Sequence, residues 1–350
     1  GVIVAVAEVN LEAGKIKNFE VLNSEEIDQK LNRQVEPPKE IKSDLSKNSW
    51  DFSDANFDPD FPASARQIEW FYNQAMGVKS DGLISLDISA AQSLLGEGGL
   101  GKRGTQVRAD KETLRELLSK ILFSANQNWL GIFRIGGDQF LQKHMLAYFF
   151  DQKKLSFVAS QNSAGVVPRP TGDSGFIYVV DSNMSGEKLG KFIYKDYQLI
   201  TTIEEDLVVK ENLVINYVHS GLDDVGEFEN RLRIYLPFGV KIKKVLWADN
   251  DITRNLEIFS DYGRSAMSIF LTLPAASDAS LSIDYELPRK LILEDGKLLY
   301  RLNLIKQPGS THDNFNWKII YPSGYISNLG DSQNFIFNSD QQFELILNAQ

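Results

Sequence analysis

The chain of 350 residues has no cysteine, which excludes disulfides, thiolate metal ligands and cysteine nucleophiles together. Cytosolic proteins of this length usually carry a few thiols, so the absence leans towards export. Only three histidines occur, His144, His219 and His312; they share no metal-ligand spacing, and each is assigned a structural role. No run approaches the ~20 apolar residues of a membrane helix, and no basic-then-apolar leader opens the chain. A basic surplus is lacking as well. Lys and Arg number 37 against 47 Asp and Glu, a net charge of −10 that argues against nucleic acid as a partner. No Gly-x-Ser-x-Gly elbow, phosphate-binding loop or dinucleotide fingerprint is present, and the glycine-rich stretch 96–104 has neither the spacing nor the helix context of one.

What is present belongs to a folded protein: 43% of residues are hydrophobic and 24% charged. The length exceeds what one core usually serves, so two or three domains are expected. The sequence enters a strand at once, Val2 to Ala7, without the few unpaired residues usual at a terminus. The expectation drawn from this is that an upstream segment, with an export signal or anchor, has been removed.

Residues 16–22 form a second strand and complete a hairpin with the first. Residues 23–60, rich in charge and containing Pro37-Pro38, read as an excursion over the surface. Pro62 opens a helix with Ala65, Ile68, Phe71, Tyr72 and Ala75 on one face and Gly77 closing it. A short strand follows at 81–86, and strand, helix, strand is an α/β pattern. Asp110 is placed as the cap of a second helix with a stripe of Leu114, Leu117, Leu118, Ile121 and Leu122; the apolar segment 138–150 reads as a third.

At 161–174 the texture turns to Ser, Gly and Pro, and beyond it helical periodicity gives way to period two. Leu232, Ile234 and Leu236 alternate with Arg231, Arg233 and Tyr235, as half-buried antiparallel strands require. The expected fold is therefore α+β and multidomain: an α/β domain at 1–165, a β-sandwich at 175–290, and further strands at 291–350. Those last strands form a second sandwich or extend the first. The tryptophans Trp50, Trp70, Trp129, Trp247 and Trp317 are scattered, and the core is the default for most of them.

Asp54, Asn56, Asp58 and Asp60 place an oxygen-bearing side chain at every second position, a set that suits Mg or Ca. The calcium-loop pattern fails in detail, since Pro59 stands where the turn glycine belongs and Ala65 where the closing glutamate belongs. The same residues suit turns, with Asp60 as the cap of the helix behind it, so metal, substrate and structural readings all stand. Asp28, in the acidic cluster Glu25-Glu26-Ile27-Asp28, joins the candidate set if the excursion folds over the strand ends. On the basic side, Arg66 either neutralises Asp58 or Asp60 or contacts an anion. Arg103 and Arg108, with Lys102, Lys111 and Arg115, form either a local anion site or a solvated loop and helix start.

Several stretches together resemble a bacterial family, the domain of unknown function numbered 4012. They are Gly14-Lys15-Ile16-Lys17-Asn18-Phe19, Val35-Glu36-Pro37-Pro38, the run from Asp54 to Pro62, the helix from Ser64 to Tyr72 and Asp81-Gly82 after it. Weaker echoes continue through residues 179–184, 230–237 and 306–309. The resemblance implies an N-terminal membrane helix and an Arg-Pro-Thr-Gly-Gly-like segment just ahead of the first strand, with Gly1 as its last residue.

More distantly, strand, excursion, helix and strand are similar to the LytR-type ligases that transfer glycopolymers from a polyprenyl pyrophosphate carrier to peptidoglycan. That likeness implies Asp-held magnesium with arginines on the pyrophosphate. The corresponding stretch here, residues 21–28, lacks the Pro-Arg-Asp pattern. The expected function is an extracytoplasmic, membrane-tethered envelope protein that binds a lipid-linked anionic glycan precursor, with LytR-like phosphotransfer if it is an enzyme. The alternative is a non-catalytic surface scaffold or adhesion protein built on β-sandwiches.

Overall fold

The computed structural model describes residues 2–13, 15–96, 108–123, 129–170, 175–185, 189–310 and 313–350. The chain divides into two units, Gly1–Val167 and Pro168–Gln350. The protein is α+β with mostly β content, and its helices lie in the first unit apart from short 3-10 turns.

Strand pairing in the first unit is local. β1 (Ala5–Glu12) and β2 (Lys15–Asn23) form an antiparallel hairpin with a bulge at Asn10/Leu11. The second pair, β3 (Gly82–Leu86) with β4 (Met145–Phe149), is antiparallel too. No parallel pairing occurs among the described residues of this unit, so the expected α/β alternation becomes two separate strand pairs set among helices. The segment 138–150, read from sequence as one helix, divides. Its first part ends α6 (Trp129–Leu141), Lys143 takes a left-handed backbone at φ 57°, and the apolar run after it pairs with β3. Five apolar residues suit a short strand as well as a helix; a partner strand decides between them.

The stretch 23–60 is also more than a surface excursion. It forms α1 (Ser24–Asp28), α2 (Lys39–Asp44) and a 3-10 turn at Phe52–Asp54, and it buries Ile27, Ile41, Phe52 and Ala55. Its apolar residues are too sparse to show a period, yet each anchors one short turn. Ile27, Phe52 and Ala55 pack with Leu22 against Ile68, Phe71 and Tyr72 of α3 (Phe61–Met76). Trp50, Phe52 and Trp70 all meet Phe71 edge-on, with centroids 5.6, 6.4 and 5.0 Å away. The other face of α3 sets Phe61 and Ala65 on Leu146 and Tyr148 of β4. A separate cluster joins α4 (Ile88–Gly96), α5 (Lys111–Phe123) and α6 through Leu94, Leu95, Leu117, Ile132 and Ile135. A further helix, α7 (Gln152–Ser160), follows β4. Among the described residues no helix is long and apolar enough to cross a membrane.

Among its described residues the second unit holds two sheets. In the seven-stranded sheet the order is β10 (Asn250–Asp251), β9 (Lys241–Trp247), β13 (Ser277–Glu286), β7 (Val209–His219), β6 (Ile193–Ile203), β16 (Asp313–Ile320) and β18 (Ser332–Phe337). The eight-stranded sheet runs β11 (Glu257–Asp261), β12 (Arg264–Leu273), β8 (Phe228–Leu236), β5 (Gly175–Asn183), β15 (Lys297–Ile305), β19 (Gln341–Ala349) and β17 (Tyr325–Ser327). Its eighth strand, β14 (Leu293–Glu294), pairs with β15.

Strands after residue 291 enter both sheets, and they enter through parallel pairs, β5 with β15 and β6 with β16. The wholly antiparallel pattern expected from sequence does not hold there. A parallel pair needs a long crossover, which the intervening strands supply. At the β5–β15 pair Gly175 is required: a Cβ there would stand 2.1 Å from the Tyr300 hydroxyl. Inward residues of both sheets share one core, for example Leu213, Ile215 and Leu281 from one and Leu232, Ile234 and Leu302 from the other.

Candidate functional site

The acidic residues singled out from sequence fall into two groups, each engaged by the chain itself. Asp28, at the end of α1, accepts the Phe52 backbone N–H at 2.7 Å. Burial raises the pKa of its carboxyl, with Asp51 and Asp54 adding in the same direction. Asp54 is 7% exposed and ion-paired with Lys47, which also meets Asp51 at 3.2 Å. Burial pulls the Lys47 pKa down, but its bonds to the two aspartates outweigh that and hold it above the ordinary lysine value. The Asp54 carbonyl accepts the Trp50 indole N–H at 3.2 Å.

The second group opens α3. Asp58 Oδ1 accepts the Asp60 N–H at 2.8 Å, a turn closed by a side chain, and the Ser64 hydroxyl donates to the Asp58 carbonyl at 2.9 Å. Asp60 is the N-cap: Oδ2 accepts from Ala63 N at 3.2 Å and Oδ1 from Val167 N at 2.8 Å. Burial raises its pKa, offset in part by those two N–H groups and by Arg66. Asn56 lies between the groups, half-buried. Asp60→Ala is expected to destabilise the first unit by about 2–3 kcal/mol, a lost cap plus an orphaned buried N–H. Asp60→Asn, with one acceptor oxygen, should lose about half of that. Chemical denaturation followed by circular dichroism checks both, and an Asp60→Ala loss below about 0.5 kcal/mol, the range of ordinary surface substitutions, would contradict the assignment.

Of the candidate cations, Arg66 lies on α3 and Arg108 ahead of α5. Arg66 is exposed and leans on Tyr148, with Nη1 3.4 Å from the hydroxyl and the guanidinium 5.8 Å from the ring centroid. Arg108 is exposed ahead of α5, and Arg103 lies outside the described residues, as does His312. Two neighbours in the same basic run have partners. Lys111 grips both carboxylate oxygens of Glu26 at 2.9 and 2.8 Å, and Arg115 meets Glu112 one turn away. Glu26 is held below the usual glutamate range, by Lys111 first and then by the Asn23 N–H. Among the described residues no three His, Asp or Glu side chains form a group able to hold a metal ion.

His144 Nδ1 is hydrogen-bonded to Asp87 Oδ2, 2.6 Å away, the carboxylate accepting, while Asp87 Oδ1 accepts from Ala90 N at the start of α4. The pair ties the end of α6 to that start. His219, 1% exposed, lies between Gly226 O and Gly221 N and holds a turn. Both positions fit the structural role assigned from sequence.

The second unit contains ionisable groups that the sequence reading passed over. Lys195 on β6 is buried, and its Nζ lies 2.6 Å from Asp181 Oδ2 on β5 and 3.7 Å from Asp313 on β16. Asp181 Oδ1 accepts from Tyr217 Oη at 2.8 Å and from Asn230 Nδ2 at 2.6 Å. Gln307 fixes the Asp181 backbone from both sides, taking its N–H at 3.0 Å and donating to its carbonyl at 2.8 Å. Six residues further along the same strand pair, Glu211 on β7 is 2% exposed and accepts from the Tyr300 and Thr201 hydroxyls. A signal for both was present in parity. Lys195 keeps step with Tyr197 and Leu199, and Glu211 with Val209 and Leu213, all inward.

No curated protein matches this chain. Among solved structures, a putative nutrient binding protein from Legionella pneumophila shares 12% identity, with 51% of this chain aligned to 71% of that one at a TM-score of 0.33. An M1 zinc metallopeptidase from Deinococcus radiodurans shares 9%, covering 45% of this chain and 42% of that, TM-score 0.25. The yeast LTA4 hydrolase in complex with bestatin shares 8%, covering 47% and 31%, TM-score 0.28. Residues 1–119 match the family described as a protein of unknown function, DUF4012, which bears out the family resemblance over the stretch where its motifs were densest.

Proposed function

We propose that this chain is a non-catalytic module of the bacterial cell envelope, displayed on the extracytoplasmic side. Its two sheets form a β-sandwich that serves as a scaffold or adhesion element, tethered through an N-terminal membrane helix of the full-length protein. The observation that carries the reading is the occupation of Asp28, Asp54, Asp58 and Asp60 by the chain's own backbone N–H groups and by Lys47. A transferase of the LytR type needs carboxylates turned to a metal and arginines turned to a pyrophosphate. Here Arg66 rests on Tyr148.

The competing reading keeps the LytR likeness, with a polyprenyl-linked anionic glycan as ligand and Mg or Ca as cofactor. Purified cell wall and a polyprenyl pyrophosphate-linked glycan separate the two. The scaffold reading expects the protein to sediment with cell wall in the presence of a chelator. It also expects Asp28→Asn and Asp58→Asn to leave that sedimentation unchanged, and the glycan carrier to show no magnesium-dependent release of polyprenyl phosphate. Magnesium-dependent release abolished by Asp58→Asn would overturn it in favour of the ligase. Absence of sedimentation would overturn the envelope assignment itself.

A further inference from the structure

Lys195, Asp181 and Asp313 bring together an amine, a carboxyl carbon and a second acid in the space between two sheets, closed off by aromatic side chains. The Lys195 side chain is 7% exposed, Asp181 14% and Asp313 5%. The Lys195 ammonium lies 5.6 Å from the Tyr197 ring centroid, and Tyr197 stacks on Phe315 with centroids 5.7 Å apart. A buried ion pair adds little net stability, because desolvating two charges offsets most of their attraction. The same desolvation lowers the cost of turning the pair into uncharged groups. The surroundings go further than an ion pair requires. Both side-chain oxygens of Asp181 are differentiated: Oδ2 takes the lysine, while Oδ1 takes two neutral donors, Tyr217 and Asn230.

We propose that Lys195 and Asp181 condense without any other enzyme into an intramolecular amide bond that joins β6 of one sheet to β5 of the other, with Asp313 as the proton carrier. The reaction starts when the ammonium passes one proton to Asp181 Oδ2 along their 2.6 Å hydrogen bond, leaving an amine and a carboxylic acid. The Nζ lone pair then attacks Asp181 Cγ. Charge developing on Oδ1 is met by the Tyr217 hydroxyl and the Asn230 amide, already aimed at that oxygen. Asp313 takes a second proton from Nζ and delivers it to the Oδ2 hydroxyl, which departs as water. One ammonium and one carboxylate become one amide and one water, with no oxidant or co-reactant.

Asp313 is suited to that relay. Burial raises its pKa, Lys195 opposes the rise and Asp181 adds to it, so its proton is easily held and passed on. In the unreacted state burial opposes the charge on Lys195, but Asp181, Tyr197 and Asp313 hold it protonated. The neutral amine and acid are therefore the minor form of the pair, and the attack draws on that minor form. A cavity of about 10 Å³ is lined in part by Tyr197, Gln307, Ser310 and Asp313. That is about the space one water needs.

Intact-mass spectrometry of the purified chain tests this directly. The expected mass is that of the sequence less one water, and peptide mapping should find the segment containing Lys195 joined to the one containing Asp181. Lys195→Arg should restore the full mass. Asp313→Asn should leave the fresh protein at full mass even though lysine and Asp181 remain. A wild-type mass equal to the sequence after prolonged incubation would overturn the proposal, as would a water loss mapped to any other pair. Cross-linking at the wild-type rate in Asp313→Asn would remove Asp313 from the mechanism. Because the wild-type mass is decisive, the test does not depend on any variant folding.

Discussion

Replacing Trp317 with alanine is expected to lower the stability of the second unit by about 3–5 kcal/mol, the range for deleting a buried aromatic side chain. Trp317 has no exposed surface, and its ring packs between Phe343 at 5.4 Å and Tyr300 at 6.3 Å. The indole also has a polar task. Its Nε1–H donates to Thr201 Oγ1 at 2.9 Å, and Thr201 in turn donates to Glu211 Oε1 at 3.2 Å. Removing the ring therefore opens a cavity and also takes away the donor that orients Thr201.

Trp317→Phe keeps most of the volume and loses only that donor, so it should cost about 1–2 kcal/mol, the penalty of an orphaned buried polar group. For a unit of this size the alanine variant corresponds to a fall of roughly 6–20 °C in Tm. Thermal and urea unfolding followed by circular dichroism measure it. A Trp317→Ala loss no larger than that of Trp317→Phe would mean that the ring is not part of the core shared by the sheets.

The core position of Trp317 follows from the alternation of Asp313, Phe315, Trp317 and Ile319, which a period-two reading finds without a structure. The helix α3 was equally legible, because its cap at Asp60, its proline, its apolar stripe and its closing Gly77 are all local signals. Three features were not. The parallel pairs β5–β15 and β6–β16 join residues more than a hundred positions apart, and nothing local encodes such a partner. The strand at Met145–Phe149 owes its state to β3, while its composition alone suits either state. The segment 23–60 hides its buried residues because Ile27, Ile41 and Phe52 each serve a different short turn.

For the site the lesson runs the other way. The acidic run 54–60 has a spacing that suits both a ligand set and turns, and the chain's own groups use it for turns, a cap and one ion pair. Lys195 and Glu211 attracted no attention, although a charged residue in step with Tyr197 or Leu213 on an alternating strand has to be buried. Such a residue is a stronger signal than a cluster in a polar loop, because burial demands a partner while a loop does not.

Glu211 yields the other large effect, and its sign can be worked out from its surroundings. The carboxyl lies on β7, 2% exposed, with Oε1 taking the hydroxyls of Tyr300 and Thr201 and with Tyr285 beside it. Oε2 and the Tyr285 hydroxyl have no hydrogen-bond partner as they stand. A proton on Oε2 supplies a donor to that hydroxyl and gives both atoms one. Burial raises the Glu211 pKa, against the pull of the Tyr300 and Thr201 hydroxyls, and the folded state holds its proton to higher pH than the unfolded chain does. The folded state then binds more protons wherever the two differ, so stability falls as pH rises. The contribution is complete below about pH 4.3, the unfolded glutamate value, and is lost progressively above it until the folded pKa is passed. The slope approaches ~1.4 kcal/mol per pH unit within that window. Glu211→Gln keeps the volume and cannot ionise, so it should remove this slope and become more stable than the wild type, relative to their difference at pH 4, as pH increases. Urea unfolding of both proteins from pH 4 to pH 8 gives the comparison, other titrating groups being common to the two. Parallel stability curves would show that Glu211 ionises in place, and would require a buried cation partner that its neighbours Tyr285, Tyr300 and Thr201 do not supply.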